Sequence, residues 1–381
     1  MMSDSQWYCP MPFRSVYSEH DGVKPCCSYA KRFTGSIDEW LASDELEQLQ
    51  QKFLRGEVDN DCRFCKKQEE NGFSSTRQKG LEDHPDFYTE TNITEFDYRS
   101  NNLCNFKCRS CYAGASSAWL ADLKQSDYIK NLQPPVNSKL VFNNSKNQTW
   151  IADNIEQLQI VTLAGGEPTL IDEVKNLVYQ LSNAKEKDRR IVMITNGSVF
   201  DDFWQEMSEK LGYYLAWAIS LDAVGEQAEI IRHGTNWTEV DKNIKKIVQV
   251  GKSVVFNTTV SNLNLLHLGP LQKYISDIRH EKHARGHICK QTAKSVWMPE
   301  FMNPVNWPDD LKPMVLENLD QTIAVESFED SRVWLEQLRK QIAQHKFDPA
   351  LWQTQVNYNK ELDRIRDEDF RTLIPLSSHS L

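Results

Sequence analysis

Apolar positions recur along the chain with two different periods. Between about residues 92 and 300, short alternating or apolar runs are separated by longer stretches of helical spacing. Ile93–Tyr98, Leu158–Leu163, Arg190–Thr195, Tyr214–Leu221, Ser253–Thr259 and Ser295–Met298 read as six strands. Ala115–Lys124, Asp172–Ala184, Asp202–Leu211, Trp237–Val250 and Leu265–Ile278 read as helices. Strands that alternate with helices imply parallel βα units and an α/β fold. Upstream, Ile37, Trp40, Leu41, Leu46, Leu49, Phe53 and Leu54 recur at helical offsets over Ser36–Arg55. Ser36 and Glu39 form a capping box at its start, and Gly56 ends it. Residues 66–91 are polar, with Gly72, Gly80 and Pro85, and read as a connecting segment. Asp127–Thr149 reads as an insertion loop around Pro134 and Pro135. After Pro299 an extended, proline-bearing segment to Pro313 leads into two packing helices, Leu316–His345 and Leu351–Arg371. The pattern divides the chain at 1–91, 92–300 and 301–381.

Composition narrows the class. The 381 residues are 40% hydrophobic and 26% charged, enough apolar material for one large or two ordinary domains. A net charge of −10 argues against nucleic-acid or membrane binding through a basic face. No window holds the ~18 uninterrupted apolar residues of a membrane span. The start, M-M-S-D-S-Q-W-Y-C-P, lacks the basic and apolar regions of a signal peptide, so a cytoplasmic location is expected. In a reducing compartment, nine cysteines point to metal or catalysis rather than disulfides. They are grouped: five precede residue 66, three lie between 104 and 111, and Cys289 stands alone as a buried neutral thiol.

The central group is L-C-N-F-K-C-R-S-C-Y, in which Cys104, Cys108 and Cys111 have C-x3-C-x2-C spacing. Three soft thiolates from one loop suit three irons of a [4Fe–4S] cube and leave the fourth iron open. A structural zinc loop or three unrelated thiols are the alternatives. About fifty residues on, an apolar strand runs into Gly165-Gly166-Glu167-Pro168. There two glycines permit close backbone approach and Glu167 offers an acceptor for an ammonium group. The first group offers Cys9, Cys26 or Cys27, Cys62 and Cys65. Four thiolates from separate loops enclose either a second cube or, as a C-x2-C knuckle, a zinc ion.

C-x3-C-x2-C followed by G-G-E-P resembles the radical S-adenosylmethionine (SAM) superfamily. The resemblance implies a partial (β/α)6 TIM-type barrel, with its chemistry at the C-terminal ends of the strands. It further implies a catalytic [4Fe–4S] cluster on Cys104, Cys108 and Cys111, whose open iron chelates SAM. Gly165, Gly166, Glu167 and Pro168 would receive the SAM amino group. Many members carry an aromatic residue just before the third cysteine; here Ser110 stands there and Tyr112 follows. The strand ends place Asn196, Ser220 and Asp222 toward the cofactor, the last two for ribose hydroxyls. Arg232 follows Ser220 by twelve residues, an offset similar to the serine and arginine that hold SAM in the anaerobic sulfatase-maturating enzymes. Asn257 and Thr259 are expected to face the cavity, whereas His233 and His267 read as ordinary polar contacts.

The N-terminal run D-G-V-K-P-C-C, G-S-I-D-E-W and G-E-V-D-N-D-C-R-F-C resembles the auxiliary-cluster region of twitch and SPASM radical SAM proteins. That implies a small N-terminal domain with a second [4Fe–4S] cluster on Cys9, Cys26, Cys62 and Cys65. The cysteine directly after proline, Cys26, is the expected ligand and Cys27 the spare. In the familiar members this region follows the barrel; here it precedes it. The expected activity is reductive cleavage of SAM to a 5′-deoxyadenosyl radical that takes hydrogen from a peptide or protein side chain. The expected electron donor is a reductase or flavodoxin-type protein. The alternatives are oxidation or rearrangement of a small molecule, and a non-catalytic zinc-binding interaction module.

Overall fold

Alternating residues do form strands, and the first strand lies earlier than the pattern predicts. The protein is seen here in a computed structural model that describes residues 7–19, 22–70, 74–99, 101–134, 148–184 and 189–375. Two compact units emerge, Met1–Asn101 with Val141–Met193, and Asn102–Leu140 with Ile194–Leu381.

In the first unit, β1 (Ser15–Glu19) and β2 (Gly22–Lys24) form an antiparallel pair. They are followed by α1 (Asp44–Leu54), α2 (Arg63–Glu70) and α3 (Thr76–Asp83). Then come β3 (Glu95–Arg99), β4 (Ile160–Ala164), α4 (Asp172–Asn183) and β5 (Arg190–Thr195), whose last residues pass into the second unit. β1 pairs in parallel with β3, β3 with β4, and β4 with β5. Phe96, Val161, Leu163, Ile191 and Met193 are buried on one face of these strands. On the other face Tyr17 stands opposite both Lys24 and Asp97, and Asp97 opposite Thr162, so that face is polar. The N-terminal segment, expected to stand apart, thus donates β1 to the same sheet as β3. The single helix expected over 36–55 is two. Ser36 and Glu39 form the capping box of a short helix, Ile37–Leu41, and Ser43 caps α1. The segment 66–91, expected as a linker, holds most of α2 and all of α3, with Ser75 and Gln78 forming a second capping box.

The second unit contains α5 (Asp202–Leu211), β6 (Leu215–Ser220), α6 (Trp237–Val250), β7 (Ser253–Val260), α7 (Leu268–Ala284) and β8 (Ile288–Ser295). β6, β7 and β8 are parallel and adjacent in sequence order. The final strand lies at 288–295 rather than at 295–298. Its residues I-C-K-Q-T-A-K-S alternate between buried and exposed, and their low apolar content hid the strand. Three helices complete the unit: α8 (Lys312–Val325), α9 (Glu329–Gln344) and α10 (Pro349–Arg366). The helix expected over 316–345 is broken at Glu326–Phe328 because Phe328 N–H donates to the Glu326 side chain. The architecture is α/β, with parallel strands joined through helices and no ring closure among the described residues. The insertion expected over 127–149 falls largely on residues 135–147, outside the described residues; Asp127–Leu132 is helical. No described helix is long and apolar enough to cross a membrane.

Candidate functional site

The loop from Asn102 to Tyr112 has no regular secondary structure, so its backbone groups find partners elsewhere. They find them on the segment Ile230–Gly234. Lys107 N–H donates to His233 O, and Arg109 N–H to Ile231 O, both at 2.8 Å. The two segments lie so close that only glycine fits at 234. Its φ is +104°, and a Cβ there would stand 2.7 Å from Asn105 O. Within the loop, Cys111 N–H donates to Cys108 O at 2.9 Å and Ser116 Oγ to Phe106 O at 2.5 Å. Cys108 is buried, whereas Cys104 and Cys111 are half-buried. N–H groups aim at the Cys104 sulfur: Phe106 N at 3.4 Å and Asn196 Nδ2 at 3.9 Å. Such donors stabilise a thiolate bound to iron. Asn196 also donates to Asn105 Oδ1 at 3.0 Å, so it ties the end of β5 to the loop.

Arg232 completes this centre. Its guanidinium is largely buried; burial pulls its pKa down, but Cys108, Asp222 and Cys104 outweigh that and raise it. Nη1 donates to Asp222 Oδ2 at 2.8 Å, and the buried Nε has no partner among the described residues. A fixed cation with an unused donor beside thiolates is suited to an incoming carboxylate. Burial pushes the Cys108 thiol up to about 11 against the pull of Arg232, and the Cys111 thiol up to about 12. These thiols therefore need a bound cation to be thiolates at neutral pH, as iron ligands do. Asp222, expected at the ribose, has both oxygens engaged. Oδ2 holds Arg232, and Oδ1 accepts Thr259 N–H at 2.7 Å. The geometry thus makes Asp222 the support of Arg232. Ser220, half-buried at the end of β6, and Ser110, half-buried in the loop, have hydroxyls without protein partners among the described residues. Asn257 accepts the Thr292 hydroxyl at 2.6 Å, and His267 donates to Leu373 O at 3.1 Å.

Gly165–Pro168 lies in the first unit, at the end of β4. Both glycines have positive φ, +86° and +55°. A Cβ on Gly165 would stand 2.8 Å from Asn101 O and 3.1 Å from Arg99 Cα. The Glu167 carboxylate was expected to face an ammonium group. It is instead fully buried and turned back, accepting Thr169 N–H at 3.1 Å and the Thr169 hydroxyl at 2.6 Å. Pro168 opens the short turn that Glu167 caps.

The N-terminal cysteines also gather within the first unit. Cys9 and Cys65 are buried, Cys26 and Cys62 half-buried, and Cys27 exposed. Burial raises the pKa of Cys9 to about 12, and Cys65 and Cys26 lie near enough to act on one another's charge. Cys62 is likewise raised, first by burial and then by Cys9. Backbone N–H groups of Met11, Ser28 and Arg77 counter the rise at Cys9, Cys26 and Cys65 respectively. An apolar wall of Tyr8, Phe13, Tyr29, Leu49 and Phe53, with Trp7 and Leu81, surrounds Cys9, Cys26 and Cys62. Arg77 braces the wall: it lies 4.1 Å from the Trp7 ring centroid, pairs with Glu69 and donates to Tyr8 O at 3.0 Å. Cys27, exposed, lies beside Ser28 and Thr76 and near enough to Cys26 and Cys65 to raise the pKa of both. Among the described residues no three His, Cys, Asp or Glu side chains stand at the spacing of a single metal ion.

The sequence reading missed the charged residues flanking Cys108. Lys107 pairs with Asp122 at 2.5 Å, and Arg366 Nε with the other Asp122 oxygen at 2.8 Å. Arg109 is completely buried and reaches Asn359, Asp363 and Glu368. The only signal in the sequence was a pair of cations beside one cysteine of an acidic chain.

Residues 98–267 match the radical SAM superfamily. No curated protein matches the sequence. Among solved structures, the chain is similar to anSMEcpe with bound AdoMet: 16% identity over 62% of this chain and 59% of that one, TM-score 0.40. It is also similar to Streptococcus suis SuiB bound to S-adenosylmethionine: 15% identity over 76% of this chain and 61% of that one, TM-score 0.40. A third, TYW1 with a lysine-pyruvate adduct, shares 14% identity over 60% of this chain and 74% of that one, TM-score 0.31. The chain thus spans about six tenths of the length of the first two. The matched stretch, residues 98–267, carries Cys104, Cys108 and Cys111, the Gly165–Pro168 turn and Arg232.

Proposed function

We propose that the protein is a radical SAM enzyme acting on a peptide or protein side chain. The observation that carries this is Arg232, near Cys104 and Cys108, whose buried Nε has no partner among the described residues. Cys104, Cys108 and Cys111 would hold the catalytic [4Fe–4S] cluster. Arg232, steadied by Asp222, would take the SAM carboxylate. Ser220 would offer a hydroxyl for the ribose, and Ser110 a second hydroxyl from the loop. When bound and reduced, the cluster and SAM together supply a 5′-deoxyadenosyl radical able to remove a hydrogen atom from substrate. The protein's part is to orient both partners and keep water from the radical.

Cys9, Cys26, Cys62 and Cys65 would hold an auxiliary [4Fe–4S] cluster of the twitch type. Ligated by four thiolates, its irons would have no open position for SAM, and its role would be to accept an electron from the substrate or to anchor it. The peptide assignment rests on this likeness to twitch and SPASM proteins. The electron donor would be a reductase or flavodoxin-type protein in the cytoplasm. Anaerobic reconstitution with iron and sulfide, followed by reduction with SAM present, tests the proposal. The expected product is 5′-deoxyadenosine. Protein that retains zinc, takes up no sulfide and forms none of this product would overturn it in favour of a zinc-binding module.

A further inference from the structure

A loop that must hold a cluster gains no rigidity from helix or sheet of its own. In the second unit its rigidity comes from the C-terminal helix. Arg109, between two cysteines, is fully buried. Its Nε donates to Ile230 O at 3.2 Å, and its Nη1 to Asn359 Oδ1 at 2.9 Å. Nη2 meets the carboxylates of both Asp363 and Glu368. The Arg109 carbonyl in turn accepts the Tyr358 hydroxyl at 3.3 Å. Glu368 uses its other oxygen on His233 Nδ1, at 2.5 Å. His233 adjoins Arg232, and its own carbonyl receives the amide of Lys107. One carboxylate therefore grips both the cysteine loop and the segment carrying Arg232. On the other side of Cys108, Lys107 and Arg366 share Asp122. The turn that brings Glu368 into place is itself specified: Asp367 ends α10 with φ +55°, and Phe370 N–H donates to Asp363 Oδ2 at 2.9 Å.

We propose that Arg109 and Glu368 are positioning residues through which α10 and its following turn set the register between the cysteine loop and the Arg232 segment. The C-terminal helix, expected only to pack, is then part of the cofactor centre without touching the cofactor. The iron and SAM consequences rest on the radical SAM reading; the positioning itself does not. A buried guanidinium shared by two carboxylates is suited to this task. Its geometry is planar and directional, and removing one partner leaves a buried charge uncompensated.

The test has two parts. Hydrogen exchange on the protein without iron or SAM reports the register directly. R109M is expected to speed exchange of the Lys107 and Arg109 amides at least tenfold, with α6 and β7 unchanged; R109K should restore part of the protection. Reconstitution of protein carrying C62A and C65A then reports iron on the central loop alone. There R109M should lose most of its iron, and E368Q should keep iron but weaken SAM binding at least fivefold, seen as a smaller SAM-induced change in the cluster's electron paramagnetic resonance spectrum. Unchanged amide exchange in R109M would overturn the proposal whether or not the chain binds iron. So would unchanged iron in R109M together with unchanged SAM binding in E368Q. Lack of iron in the parent protein with accelerated exchange in R109M would uphold the positioning role and overturn the radical SAM reading instead.

Discussion

The two cysteine groups solve opposite problems. Cys104, Cys108 and Cys111 come from one short loop, lie beside a cation with a spare donor, and are held from behind by buried ion pairs. Cys9, Cys26 and the Cys62–Cys65 segment come from three places in the chain, and aromatic side chains pack against Cys9, Cys26 and Cys62, braced by the Arg77–Glu69 pair. A three-ligand centre must leave one coordination position reachable while its own backbone stays fixed, so charge and directional hydrogen bonds suit it. A four-ligand centre needs only to be closed, and close packing suffices. The difference teaches that ligand number shows in the surroundings as well as in the cysteines.

The largest effect is expected at the open centre. Replacing Cys104, Cys108 and Cys111 together with alanine should abolish 5′-deoxyadenosine formation while leaving a folded chain with the iron of the N-terminal group. Normal product from this variant would erase the distinction between the groups. Next, replacing Cys62 and Cys65 with alanine should halve the iron, from about eight to about four per chain if each group holds one cube. SAM cleavage should persist, but turnover of the true substrate should stop; iron analysis and product chromatography read both.

Smaller effects sharpen the contrast. Arg232→Ala should weaken SAM binding by about 1.5–3 kcal/mol, the value of a charge-assisted hydrogen bond, measured by equilibrium dialysis. Gly166→Val should block binding from the other motif, since its φ of +55° disfavours a β-branched residue. Unchanged affinity in both would show that SAM binds elsewhere. The smallest difference lies between neighbours: Cys26→Ala should lose the N-terminal cluster, and Cys27→Ala should keep it. Elemental and Mössbauer analysis distinguish them, and one tightly held zinc with only four irons in the unaltered chain would replace the second cube with a knuckle.

What the sequence showed was local, and what it hid was distant. The strand before Gly165 and the capping box at Ser36 are written in consecutive residues, and both form as read. Arg232 was singled out by its twelve-residue offset from Ser220, and its partner Asp222 lies only ten residues away. Arg109 could not be found, because Asn359, Asp363 and Glu368 lie some 250 residues further on, on and just after a helix whose apolar spacing announced packing alone. Glu167 misled for the converse reason. Its side chain satisfies its own turn two residues away, a local competition that the motif does not reveal. Asp222 was placed at the right strand end, but its carboxylate serves the protein before any ribose.

The pairing of Lys107 and Arg109 with His233 and Ile231 has a consequence for anyone who would move this chemistry into another scaffold. The ten-residue cysteine motif is not a portable cassette. Transplanted alone, it would arrive without the helix end and turn that fix its path, without the glycine that lets that segment approach, and with a buried arginine facing no carboxylate. The smallest transferable unit is discontinuous: residues 102–122, 228–234 and 355–370, three stretches that a graft would have to hold together before any iron was added.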